Sequence, residues 1–442
     1  MRFLLIIIAF VFLPLTSVYA DIFRILDSEG DALQCRIDLI QQSKQQVLLS
    51  YYVVNEDLVG LALFDLLVEA SRDRGVKVCL LIDAVRSKIS KPVVAYLEEN
   101  GVQVRVFNPG SIWRPLNYAR RLHDKLFLVD ETNFIVGGRN IKKEYYALGK
   151  GKNFLDRDVL VQSEKAIKKA QFHFFSIWDN RKLSFASPTI KLTDKERIKI
   201  KHDFAESRIL IQNERGMYLY TGYDWATGQP QTAGPVSFEC DRFYKRGKNG
   251  KIENSDIKIS GSTASLLKLI NVAKKSITIE NAYVIPTKKW TRALKKALNR
   301  GVKIRILTNS MATNDVMMAQ AAYLNNRRKL INMGIDIWEY QGPKTLHIKS
   351  TVIDDSISIV SSYNLHALSE RWSTEVAVWV ADTSLAKQHR AIMDRHLSNA
   401  THIGPNNVRI ENPGHHFGPY PFCLRAQVAI TRYTLAWILK LL

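Results

Sequence analysis

Two stretches of the chain, RRLHDKLFLVDETNFIVGGRN (120–140) and TLHIKSTVIDDSISIVSSYN (345–364), carry the same polar residues at the same spacing. In the first, His123 and Lys125 stand two positions apart and are followed by Asp130, Gly138 and Asn140. In the second, His347 and Lys349 are followed by Asp354, Ser362 and Asn364. Each stretch reads as an apolar strand, a turn and a returning strand. Side chains at i and i+2 of a strand share a face, so each His/Lys pair must point one way, and the returning strand delivers the Asn beside it. Asp130 and Asp354 fall at the turns (DETN and DDSI), where a carboxylate holds a hairpin more readily than it reacts.

A single histidine in an apolar strand is usually a satisfied core residue. Two copies, each with Lys and Asn at matching offsets, point instead to chemistry. A lysine ammonium on the histidine's own face repels a cation, and no HExxH or CxxC pattern is present, so neither a metal nor another cofactor is expected. Two lysines and two asparagines offer charge and donors to the non-bridging oxygens of a phosphate. Two imidazoles suit a two-step displacement, one attacking phosphorus while the other protonates the leaving oxygen and then activates the incoming nucleophile. On this reading each half of the chain supplies half of one active site. Asp158 (LDRDVLVQS) and Glu375 (WSTEVAVWV) precede apolar strands after the two hairpins, where a carboxylate could fix an imidazole's tautomer; Asp156 competes with Asp158 in the first copy.

The elements that position these residues are repeated too. ASRDRGVKVCLLIDA (70–84) matches KALNRGVKIRILTNS (296–310), each a helix stopped by Gly and followed by a strand, and LEENGVQVRVF (97–107) matches LINMGIDIWEY (330–340). Apolar strands alternating with helices, then a hairpin, predict an α/β fold. Two pseudo-symmetric domains are expected, each a mixed, mostly parallel sheet flanked by helices, with the active site at their interface. The expected segments are a signal peptide (1–20), a first domain (21–195), a Gly-, Pro- and Lys-rich connecting region (196–255), a second domain (256–400) and a C-terminal extension (401–442).

The two histidine stretches resemble the HxKx4Dx6G(G/S)xN signature of the phospholipase D superfamily, with Ser361 where the second copy usually has Gly. RRLHDKLFLVD, VGGRNIKKEYY and SSYNLHALSERWSTE are similar in pattern to the bacterial cardiolipin synthase group. The resemblance implies a phosphodiesterase or phosphatidyltransferase working without metal through a phosphohistidine. It implies a catalytic set of His123, Lys125, Asp130, His347, Lys349 and Asp354, with Asn140, Asn364, Gly138, Ser362, Asp158 and Glu375 in support. By analogy with two-motif phospholipases, His123 is the nucleophile and His347 the acid. An exported nuclease of the same superfamily is the alternative. Two motifs in one chain, both with their aspartates, favour a glycerophospholipid over DNA or RNA.

With 63 Lys and Arg against 42 Asp and Glu, the chain carries a formal charge of +21, which favours polyanionic partners such as phospholipid headgroups or nucleic acid. MRFLLIIIAFVFLPLTSVYA reads as a cleavable export signal, so a periplasmic or secreted protein is expected. Export permits disulfides: Cys79 reads as a buried strand residue, and Cys240–Cys423 is the pair considered for one bridge. AQVAITRYTLAWILKLL (426–442) is apolar with few charges and reads either as packed on its own domain or as a membrane-interface helix. SIWRPLNYARR (111–121) reads either as a rim of the site entrance or as a structured loop.

Overall fold

The computed structural model describes residues 21–109, 120–187, 190–215, 232–241, 261–410 and 417–434. Residues 1–20, read above as an export signal, most of SIWRPLNYARR, residues 216–231 and 242–260 and the last eight residues lie outside them.

Each half is built on one nine-stranded sheet, and seven strands occur in the same order in both. In the first half that order is Asp21–Leu26, Asp158–Gln162, Asn133–Gly137, Lys125–Val129, Gln46–Tyr51, Lys77–Asp83, Val102–Phe107. In the second it is Val236–Cys240, Val376–Ala381, Ile357–Ser361, Lys349–Ile353, Ser276–Asn281, Lys303–Asn309, Asp336–Tyr340. The sheets are mixed, but the expectation of mostly parallel strands needs correction. Parallel pairing within each is confined to the last three of these seven strands, and every other pair is antiparallel. The reason is connectivity: helical crossovers join neighbouring strands only among those three, whereas the histidine strands return through a tight hairpin.

The repeated RGVK sequence shows how local chemistry sets these crossovers. Asp57 caps the helix Leu58–Arg74 by accepting from Val59 and Gly60 N–H, and Gly75 ends it in the left-handed conformation (φ 68°). Gly301 does the same at φ 86°. Lys77–Asp83 then enters the sheet, with Cys79 fully buried.

Each half has its own core, and a third apolar cluster belongs to both. Phe23, Leu126, Val136, Val159 and Phe174 of the first half pack with Val236, Phe238, Val360, Val376 and Val378 of the second. The region expected to be a connection is divided between the halves. Asp194–Arg215 is a helix packed on the first half, with Ile200, Phe204 and Ile211 in its core. Thr232–Ala233 pairs with the first strand of the first sheet, and Val236–Cys240 heads the second sheet. All four cysteines are free; Cys240 is buried and Cys423 exposed, so the Cys240–Cys423 bridge does not form. Among the described residues no helix is long and apolar enough to cross a membrane.

Candidate active site

The two histidines are brought together from opposite halves, and each is held by the other half. His123 Nδ1 lies 3.0 Å from the carboxylate of Glu375, and His347 Nδ1 lies 2.6 Å from that of Asp156. The backbone makes the same exchange. Leu122 bridges Thr374, Thr374 N–H donates to Arg121 O, and His123 N–H donates to Thr374 Oγ1. Thr345–Leu346 forms a parallel pair with Phe154–Leu155, and His347 N–H donates to Leu155 O. Each histidine is therefore stitched, one residue away, to the segment that delivers its own carboxylate. With both Nδ1 atoms so engaged, both Nε2 atoms are left for chemistry.

This geometry corrects one assignment. Asp156, not Asp158, is the counterpart of Glu375. Gly138 N–H donates to Arg157 O, as Ser362 N–H does to Val376 O, so the residue before each acceptor is the histidine's partner. Asp158 instead accepts from Arg36 at 2.9 Å and lies 3.4 Å from Arg139, all buried, and has a structural role. Gly138 is required where it stands: a Cβ there would lie 2.1 Å from Asp156 Oδ1. In the second copy Ser362 stands at that position and donates its hydroxyl to Glu375, as Ser369 also does, each at 2.5 Å.

Asp130 and Asp354, implied to be catalytic, are not at the site. Both sit at hairpin turns with positive φ (53° and 54°). Asp130 accepts from the backbone N–H groups of Lys44, Gln45 and Gln46, and Asp354 from those of Lys274, Lys275 and Ser276. They tie each motif hairpin to the start of the neighbouring strand.

Lys125 and Lys349 share the histidines' faces as expected. Each donates its ammonium to the carbonyl of the histidine two residues before it, Lys125 at 2.8 Å. Burial lowers Lys125 to about 7 and Lys349 to about 8, against the raising influence of Glu375 and Asp156. Asn140 is buried, accepting from Val53 N–H and donating to Tyr145 Oη; Asn364 is buried too, its N–H bound to Ser369 Oγ. Aromatic rings wall the site: Tyr52 lies edge-on to His123 (4.8 Å between ring centres), Tyr145 to His347 (5.2 Å) and Phe154 to His347 (5.4 Å).

The two half-sites differ electrostatically. Burial, reinforced by Lys125 and Lys349, holds His123 well below the ordinary histidine range, and burial pushes Glu375 up. His347 is also lowered by burial and by Lys349, but Asp156 opposes that fall. Burial pushes Asp156 up, yet His347, Lys349 and Arg139 outweigh it and hold the carboxyl below its usual value. His347 thus faces an anion, while His123 is held neutral.

Several positioning residues escaped the sequence reading. Asp83 accepts from Leu122 N–H at 3.0 Å and from Arg121 at 3.2 Å. Asn309, at the matching position of the second half, accepts from Leu346 N–H at 2.9 Å and donates to Leu346 O at 2.7 Å. Both brace the residue before a histidine. The available signal was their equivalent place at the ends of LLID and ILTN. Thr374, Ser369 and the Phe154–Leu155 pair had no comparable signal.

Comparison with known proteins agrees with this fold. The family model described as "Cardiolipin synthase, PLD-like domain" matches residues 36–178 and 266–397, which include both histidine motifs. Cardiolipin synthase C of Escherichia coli K12 is 26% identical over 429 residues, covering 88% of this chain and 86% of that protein. An uncharacterised protein of Helicobacter pylori 26695 is 27% identical over 436 residues, covering 88% and 84%. The crystal structure of phosphatidylserine synthase from Haemophilus influenzae superposes with a TM-score of 0.67 over 95% of this chain and 94% of that one, at 16% identity, which speaks to the fold. The chain belongs to the cardiolipin synthase phospholipase D-like family.

Proposed function

We propose that this protein is a phosphatidyltransferase that acts on glycerophospholipids without a metal. The observation that carries the reading is the crosswise pairing of His123 with Glu375 and His347 with Asp156. His123, neutral with its Nδ1 proton bonded to Glu375, attacks phosphorus through Nε2. The phosphorus–oxygen bond to the departing alcohol breaks as His347 gives that oxygen its Nε2 proton. His347 then takes the proton of an incoming hydroxyl, whose oxygen displaces His123 and restores both rings. Lys125, Lys349, Asn140 and Asn364 surround the charge that develops on the non-bridging oxygens. Water in place of the alcohol would give hydrolysis through the same intermediate.

The C-terminal helix Phe422–Thr434 supports a lipid partner. Leu424 and Val428 pack on the second core, while Phe422, Ile430 and Tyr433 are 77%, 61% and 81% exposed. No acidic residue follows Glu411, whereas Arg425, Arg432 and Lys440 do, so this end of the chain suits an anionic lipid surface. The export signal read at residues 1–20 would place that surface outside the cytoplasm.

The test uses phosphatidylglycerol vesicles with EDTA and a primary alcohol, with products read by mass spectrometry. Phosphatidyl alcohol formed by the intact protein, and lost with His123→Ala or His347→Ala, is expected. No lipid product would remove the reading, and the same samples would then be tried on DNA and RNA. Replacing Phe422, Ile430 and Tyr433 with Ser should weaken vesicle binding several-fold without changing thermal stability; unchanged binding would exclude the helix as the contact.

A further inference from the structure

A third histidine stands at the site, and neither motif accounts for it. His366 follows Asn364 by two residues and caps the short helix Ala367–Arg371, its Nδ1 accepting Ser369 N–H at 3.1 Å. An Nδ1 that accepts a backbone proton cannot carry one, so the neutral ring bears its proton on Nε2. The ring lies nearly parallel to Tyr283 (17°, 6.3 Å between centres), and Tyr283 in turn stands edge-on to His347 at 6.5 Å. Tyr283 is itself tethered by its hydroxyl to Asp315 at 2.7 Å. His366 and His347 both lie close enough to His123 to disfavour its protonation, and Lys349 lies close enough to His366 to do the same there. Burial lowers His366 to about 4, opposed by a hydrogen bond to its own backbone and reinforced by Lys349. The ring therefore stays neutral at ordinary pH, and the residue as a whole is only partly buried.

The first copy has no equivalent. The corresponding residue, Lys142, has its ammonium 3.4 Å from Glu144. A cap supplied by Ser, Thr, Asp or Asn would hold the helix as well as histidine does, and those residues are the preferred ones. What the imidazole adds is a donor on the atom remote from the cap, fixed in direction by the cap bond and the stacked tyrosine.

We propose that His366 is a third phosphate-site histidine, a neutral donor of fixed tautomer whose Nε2–H bonds a non-bridging oxygen of the phosphate held between His123 and His347. It forms and breaks no covalent bond and transfers no proton; it binds. The inference rests on the phosphodiester reading of the site but not on the lipid.

The test uses tungstate, a tetrahedral oxyanion, with the full chain. His366→Asn keeps a good helix cap and removes the remote donor, and His366→Ala removes both. Both variants should bind tungstate about tenfold more weakly than the wild type, with the melting temperature of His366→Asn unchanged. In the wild type, the ¹⁵N shifts of His366 should show an unprotonated Nδ1 and a protonated Nε2, with the Nε2 signal moving when tungstate binds. Wild-type affinity in His366→Asn, or an Nε2 signal that does not respond, would overturn the proposal. Failure of the lipid reading would appear separately, as a wild-type protein that binds tungstate but leaves phosphatidylglycerol unchanged.

Discussion

Replacing Asp156 with Asn should cripple the reaction while sparing the fold. The substitution keeps an oxygen able to accept from His347 Nδ1, now at 2.6 Å, and removes only the charge. Two unit charges about 4 Å apart in an effective dielectric of about 20 interact by roughly 4 kcal/mol. At 1.36 kcal/mol per decade, losing that support for the His347 imidazolium costs about 10³-fold in kcat. The sign for titration follows from the same term. Asp156 raises His347 against the lowering caused by burial, so Asp156→Asn must lower the His347 pKa further. The assay is phosphatidyl transfer across a pH series, with the His347 pKa followed by NMR. Asp158→Asn is the control: it leaves Arg36 and Arg139 without their buried carboxylate, which should cost about 3–5 kcal/mol of stability and little kcat in the protein that remains folded. Near-normal kcat in Asp156→Asn, with the large kinetic loss in folded Asp158→Asn, would refute the register on which the site is built.

Oxyanion affinity should be flat below pH 7 and fall above pH 8. The substrate-free lysines titrate near 7 and 8, and a bound anion favours their charged forms, so binding takes up protons in that range; calorimetry in buffers of different ionisation enthalpy reads the uptake, and none would contradict the placement of both lysines. Asp130→Ala and Asp354→Ala each strip an acceptor from three backbone N–H groups. Each should lower stability by about 1–3 kcal/mol in urea denaturation while the folded fraction keeps its kcat; a kinetic loss with no stability loss would restore these residues to the chemistry.

Much of the site was legible because strands have period two. His123 with Lys125, and His347 with Lys349, had to share faces, and the turn placement of Asp130 and Asp354 foretold their structural role. The same periodicity hid the register of the acids. Asp156 and Asp158 are two apart, so alternation puts both on one side, and DVLV looks like EVAV. Only the ladder bonds from Gly138 to Arg157 and from Ser362 to Val376 separate them. The exchange of carboxylates between halves joins residues more than 190 positions apart (His347 with Asp156) and leaves no local trace. Val236–Cys240 was missed for a different reason: five residues between loop-like stretches look like connection until an edge of the second sheet claims them.

The central claim, one attacking and one proton-handling histidine, is tested most directly by trapping the intermediate. A phosphodiester with a p-nitrophenyl leaving group needs no acid to depart, but a base is still needed to activate the nucleophile that displaces the histidine from phosphorus. With EDTA present, His347→Ala should therefore accumulate a phosphoryl adduct on His123, located by mass spectrometry, while His123→Ala should give none. An adduct on His347 in the His123→Ala protein, or no adduct in either, would contradict the account.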